Sequence, residues 1–228
     1  VGLGVTSAGA NATATAAANT RTETGGNASI DGNAGGTLIQ ALANNEVVSD
    51  GTAKSGSVAA VGLITATGNA GGSTVATSAA DVAGNGLQIL ANAEQNAQVT
   101  SVAATGGILV SGSGARSTSN VSPTVGAAIG NGAVIDVTGG VTVRSEADAT
   151  AHGQADGVAF SGGVGAGGSV ADVDLNPTMS ASIGENARIT THGGAGQVLV
   201  QIDLNNGDAN ALGATANTTA AAGGALLG

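Results

Sequence analysis

Gly139-Gly140-Val141-Thr142-Val143-Arg144-Ser145-Glu146-Ala147-Asp148-Ala149-Thr150-Ala151-His152-Gly153-Gln154-Ala155 alternates small or apolar residues with polar ones for fifteen residues from Val141. Only a β-strand sends successive side chains to opposite faces, so this stretch is predicted to be one strand with a buried row and a wet row. At ~3.3 Å per residue it would run about 50 Å, well beyond the usual globular strand. Val141, Val143, Ala147, Ala149 and Ala151 are expected inside, and Arg144, Glu146, Asp148 and His152 outside. An uncharged glycine-rich run follows, from Val158 to Val170, before alternation resumes through Ala171, Val173 and Leu175 and stops at Asn176-Pro177.

The rest of the chain repeats this unit loosely. Val121–Gly140 aligns without a gap on Leu175–Gly194, matching Pro123 with Pro177, Ile129 with Ile183 and Ile135 with Ile189 at an offset of 54 residues. Similar alternation begins at Ile39, at Leu87 and at Val198, and charge-free glycine-rich segments recur near residues 1, 61, 107, 164 and 223. Their average spacing is near 56 residues, within the range of repeats that form solenoids. Asn-Gly at 85, 131 and 206 and Asp-Gly at 31, 50 and 156 are expected to mark turns, because these dipeptides tolerate positive φ.

The predicted fold is all-β: a parallel β-solenoid of about four imperfect ~56-residue repeats, with approximate units 1–60, 61–107, 108–163 and 164–222 in one elongated segment spanning 1–228. Each unit is either one wide, flattened coil of three long strands or three narrow coils of ~19 residues; the unbroken alternation after Val141 favours the wide coil. In that case Pro123 lies beneath Pro177, with the two isoleucine pairs similarly stacked.

Composition narrows the function classes. Among 228 residues there are 41 Gly, one Phe, one Met and no Cys, Trp or Tyr. A core must therefore be built from Ala, Val and Gly, which brings facing backbones close together and suits thin stacked sheets. A hydrophobic content of 42% with regular alternation argues against disorder. Net charge is −10 and the five bases are scattered, so neither nucleic acid nor insertion into a membrane is expected. The first residues already read as mid-repeat sequence, as a piece of a longer polypeptide would.

The candidate sites are few. Gly163, Gly165 and Gly168 match a dinucleotide-binding glycine pattern, but the sequence after them continues as strand where that motif requires a helix. Asp203, Asn205, Asn206 and Asp208 form an oxygen-rich turn, the best candidate for a bound cation, and Asp172, Asp174 and Asn176 a weaker one; neither completes a calcium-loop pattern. His152 and His192 have no partner at zinc spacing. The threonine sets Thr13/Thr15, Thr20/Thr22/Thr24 and Thr65/Thr67 suggest an ice-binding array but do not keep register in the sequence. No nucleophile elbow or acid–base pair is present, so no enzymatic activity and no cofactor is expected.

The pattern Gly-Gly-Val-Thr-Val (139–143), Gly-Val-Gly-Ala-Gly-Gly-Ser-Val-Ala-Asp (163–172) and Asn-Pro-Thr-Met-Ser-Ala-Ser-Ile-Gly-Glu-Asn-Ala-Arg-Ile (176–189) resembles the passenger repeats of giant Gram-negative surface proteins. These are the leukotoxin-like and filamentous-haemagglutinin-like adhesins, and the resemblance is sharpest over 121–204. It implies export to the bacterial cell surface and a fibrous stalk. The implied partners are neighbouring repeats of the same chain, or identical subunits end to end. A region that binds a host or neighbouring-cell ligand is the alternative reading.

Overall fold

A computed structural model describes residues 4–193, 196–205 and 213–224. It is all-β, with no helix among the described residues. The long strands are β1 (Val5–Thr24), β3 (Thr37–Ser78), β5 (Leu87–Ile129), β7 (Val141–Ser161), β8 (Val164–Leu175), β9 (Thr178–Ile183), β11 (Val198–Leu204) and β12 (Ala214–Gly224). Together they form one eight-stranded parallel sheet. Between them lie four short strands, β2 (Ser29–Asp31), β4 (Asp81–Gly84), β6 (Val134–Val137) and β10 (Arg188–Thr191), which make a second parallel sheet ordered β10-β6-β4-β2.

Each half of the longest strands has its own neighbours. Thr37–Ser57 of β3 pairs with Leu87–Gly107 of β5, which in turn carries β7. The second half, Ala59–Ser78, lies between β1 and Val110–Ile129, and β8 and β9 lie on the latter. The halves fold face to face. Asn45 in the first donates Nδ2–H to the carbonyl of Gly71 in the second at 2.6 Å, and Ser119 Oγ donates to the carbonyl of Ala97 at 3.1 Å. The short strands close one side. This arrangement of long parallel strands is compatible with a β-solenoid.

The core explains why small residues form these strands. Leu87, Ile89, Ile129, Ile135, Val141 and Val143 are fully buried beside the short sheet. Further along, the packing partners are Ala97, Val121, Ala149 and Ala151, then Ala53, Ala103, Ala115 and Ala155. Toward the far end backbone meets backbone: a methyl group placed on Gly157 would fall on the Gly168 carbonyl of the facing strand. The close approach expected from composition is therefore concentrated at one side of the interior.

The structure agrees with the parity predicted for 141–155 on its buried side: Val141, Val143, Ala147, Ala149 and Ala151 are all buried. Ile129 pairs with Ile183 and Ile135 with Ile189, one strand apart. Pro123 and Pro177 are flanked by the aligned pairs Val121–Leu175 and Thr124–Thr178. Two expectations need correction. Asp50-Gly51 and Asp156-Gly157 are not turns but lie inside β3 and β7. Their glycines point inward, where Ile64 crowds Gly51 and the Gly168 backbone crowds Gly157, so glycine is present for want of space rather than for positive φ. True left-handed turns occur at Gly132 (φ 72°) and at Asn186 (φ 58°), each in the tight connection before a short strand.

Candidate functional sites on the sheet surface

The densest polar cluster stands where β11 lies on β7, in a register that sets Gln201 beside Arg144 and Asp203 beside Glu146. Arg144 Nε is 2.6 Å from Asp203 Oδ2, and its terminal nitrogen is 3.3 Å from Glu146 Oε1. Gln201 donates Nε2–H to the other Asp203 oxygen at 2.8 Å. The hydrogen bond from Gln201 and then that from Arg144 hold the Asp203 carboxyl below its ordinary range, while the bond to Asp203 raises the Arg144 guanidinium. Arg144 and Glu146 are consequently half-buried, not exposed as their sequence parity suggested. The neighbouring strand laid over their row is what covers them. Asp148 and His152 are exposed as expected.

Asn205 marks the point where the chain leaves the sheet. Its backbone is left-handed (φ 51°) and its N–H donates to the Ala147 carbonyl at 2.8 Å. Its side-chain amide then takes the place of a missing strand residue. Oδ1 accepts from Ala149 N–H at 2.7 Å and Nδ2 donates to the Ala149 carbonyl at 3.1 Å. Backbone pairing resumes where Ala151 N–H donates to Gly213.

The structure thus brings together two of the residues of the predicted cation turn, Asp203 and Asn205, with their oxygens turned to protein partners. Asn206 and Asp208 lie outside the described residues. In the weaker candidate, Asp172 faces Arg116 at 2.6 Å, and Asp174 and Asn176 are exposed beside it. No group of three His, Cys, Asp or Glu side chains is arranged to hold a metal among the described residues. His192 Nε2 lies 2.5 Å from Asp136 Oδ1, and His152 stands on the outer row of β7. Gly163, Gly165 and Gly168 run into β8, so no helix N-terminus follows them. The threonines are better aligned than the sequence suggested, since Thr13, Thr67 and Thr118 stack in one column. The same column ends at Asp172, in its ion pair with Arg116, while Thr15 stacks on Asn69 and Asn120. The row is a mixed polar ladder rather than a threonine array.

A second site had no sequence assignment. At the bend between the two halves of the sheet, Ile108, Leu109, Val110, Phe160 and Val164 are all exposed, and Ile108 and Phe160 line a groove of about 790 Å³. Strand parity contained the signal: counting outward from buried Ala155 puts Ala159 inside and Phe160 outside. No family model, curated protein or solved structure matches the chain.

Proposed function

We propose that this chain is a segment of a parallel β-solenoid that serves as a rigid, non-catalytic stalk or fibre of a secreted or cell-surface bacterial adhesin. The observation that supports it is the parallel register carried through successive turns, with one shift between Ser57 and Ala59: Val5 pairs with Ala59, Ala59 with Val110, and Val110 with Val164. Each step advances the chain 51 to 54 residues, so one turn comprises two long strands and one short strand. We read this as the wide, flattened coil, with a short strand in place of the third long strand that the sequence suggested. In a stack of this kind backbone groups are satisfied along the axis and side chains fill a thin interior, which gives stiffness without a thick core.

Outward-facing ladders add to the axial cohesion. Asn44 donates to Glu94, Asn120 to Asn69 and Thr150 to Asn96, each between adjacent strands. The outer edges of β1 and β12 pair with no described strand. Neighbouring turns of a longer chain, or identical subunits end to end, would continue the stack there by strand addition. The test has two parts. Small-angle scattering should give a flat, elongated cross-section rather than a sphere. Labelling of intact producing cells with an antibody to the outer row of β7 should reach the protein without lysis. A compact globular profile would overturn the solenoid, and labelling only after lysis would overturn the surface assignment.

A further inference from the structure

We propose that Asn85-Gly86 is a self-modification site, at which the folded chain converts the Asn85 amide to an acid with the help of the Thr138 hydroxyl. Asn-Gly occurs at 85, 131 and 206; the third pair lies outside the described residues. In such a pair the glycine nitrogen can attack the asparagine Cγ, because no Cβ hinders its approach. The new N–Cγ bond forms as the bond from Cγ to the side-chain nitrogen breaks. The glycine N–H proton passes through water to that nitrogen, which leaves as ammonia. Water then opens the succinimide ring at one carbonyl or the other, giving aspartate or isoaspartate at 85.

The two described pairs differ in what holds the attacking nitrogen. Gly132 N–H donates to the Glu185 carbonyl at 2.9 Å, and Asn131 Oδ1 accepts from Glu185 N–H, also at 2.9 Å. One residue of the next turn thus clamps both reacting groups, and cyclisation at Asn131 must break both bonds. The Asp-Gly pair at 31 is held similarly, with Gly32 N–H on the Ala83 carbonyl at 2.8 Å. Gly86 N–H has no such partner among the described residues. Asn85 itself is exposed, at a corner between two open grooves. Thr138 Oγ1 donates to Asn85 Oδ1 at 3.1 Å. That oxygen gains negative charge as the nitrogen attacks, and a donor already aimed at it stabilises the charge. A hydroxyl can rotate with the oxygen it serves, whereas the Glu185 N–H is fixed in the backbone. The product changes the corner. A carboxylate at 85 joins Asp31 and Asp136 along one groove, adding a negative charge to a chain that carries −10. Isoaspartate also lengthens the backbone by one methylene just before Leu87, the fully buried first residue of β5.

The full folded chain is held in mildly alkaline buffer at physiological temperature, sampled over weeks, then denatured and digested with trypsin. Cleavage after Lys54, Arg116 and Arg144 places Asn85 in the peptide 55–116 and Asn131 in 117–144. Mass-spectrometric fragmentation locates each conversion of amide to acid. Asn85 should convert at least about tenfold faster than Asn131, as the two extra hydrogen bonds at Asn131 require. In urea the two rates should be equal. Thr138→Val, with circular dichroism matching the parent, should slow Asn85 by at least about threefold and leave Asn131 unchanged. Equal rates in the folded parent, faster conversion at Asn131, or none at Asn85 would overturn the proposal. So would a difference that persists in urea, which would owe nothing to the fold. A Thr138→Val chain whose Asn85 converts as fast as the parent's would overturn it as well.

Discussion

Two glycines whose backbones meet across the interior, Gly157 turned inward and Gly168 outward, should respond in opposite senses to the same substitution. A Cβ on Gly157 falls onto the Gly168 carbonyl and lies 3.0 Å from Ser169 Oγ, while a Cβ on Gly168 meets nothing within 4 Å. The first obstacle is backbone and has no rotamer by which to move aside. Overpacking of this kind costs about 1–3 kcal/mol. Replacing glycine by alanine where the backbone already suits alanine stabilises by about 0.4–1 kcal/mol, through the unfolded chain. Gly168 has no positive φ, so Gly168→Ala should gain that amount. Gly157→Ala should lose about 1–2 kcal/mol after the same entropic gain is subtracted. For a chain of this length about 1 kcal/mol moves the midpoint by roughly 2–4 °C, so the two variants should melt several degrees apart, on opposite sides of the parent. The chain has neither Trp nor Tyr, so the melt is followed by far-ultraviolet circular dichroism. If Gly157→Ala matches or exceeds the stability of Gly168→Ala, the two sheet halves do not approach as described, and the thin interior is wrong.

Three further outcomes follow from named contacts. Ala149→Asp puts an unpaired charge at a fully buried position and should cost about 3–5 kcal/mol in urea denaturation, whereas Asp148→Ala, one residue away and exposed, should stay within about 0.5 kcal/mol. Asn205→Ala strips both partners from the Ala149 backbone and should cost about 1–3 kcal/mol. Hydrogen exchange should then show faster exchange at the Ala149 amide, with Leu87 and Ile89 unchanged. The Asp203 carboxyl has a lowered pKa in the folded state, so its stabilising contribution is fully present above the unfolded-state value of about 3.9 and is lost as the pH falls through the lower folded value. Melting curves of the parent and of Asp203→Asn should therefore differ at neutral pH, and converge only once the pH has fallen below the lowered folded-state value.

Strand parity was legible because it depends on a two-residue period that no tertiary contact can shift without exposing the whole row. Val141, Ala147 and Ala151 are buried for the same reason that their alternation was visible. The stacking of Ile129 on Ile183 was legible because an ungapped match between two segments is what in-register parallel pairing leaves in a sequence. Other features depend on residues far away in the chain and left no local mark. Arg144 becomes half-buried only through Asp203, which approaches it from the following turn. The amide of Asn205 replaces a strand residue only because the chain departs from the sheet at that point. Asp156-Gly157 suggested a turn because the dipeptide is ambiguous: glycine serves a positive φ and an absent side chain equally well.

That ambiguity resolves once the position of the fold-back is known. The inward row of β7 runs Val141, Val143, Ser145, Ala147, Ala149, Ala151, Gly153, Ala155, Gly157, Ala159, with nothing larger than a methyl group from Ala147 to the bend. Past the bend, the inward row of the chain grows again: Gly165, Gly167, Ser169, Ala171, Val173, Leu175, then Met179. The two rows meet in matching order. Gly157 approaches Gly168, Ala155 clusters with Ala171, Ala149 and Ala151 with Val173 and Leu175, and Val141 and Val143 with Met179. Side-chain size thus measures the distance between the halves, and the interior is a wedge, wide at the short sheet and closed at the bend. A wedge cannot hide large residues at its thin end, so a large side chain there must turn outward. Ile108, Leu109 and Phe160 do so. The same geometry that reduces the core to glycine therefore also creates the exposed apolar ridge.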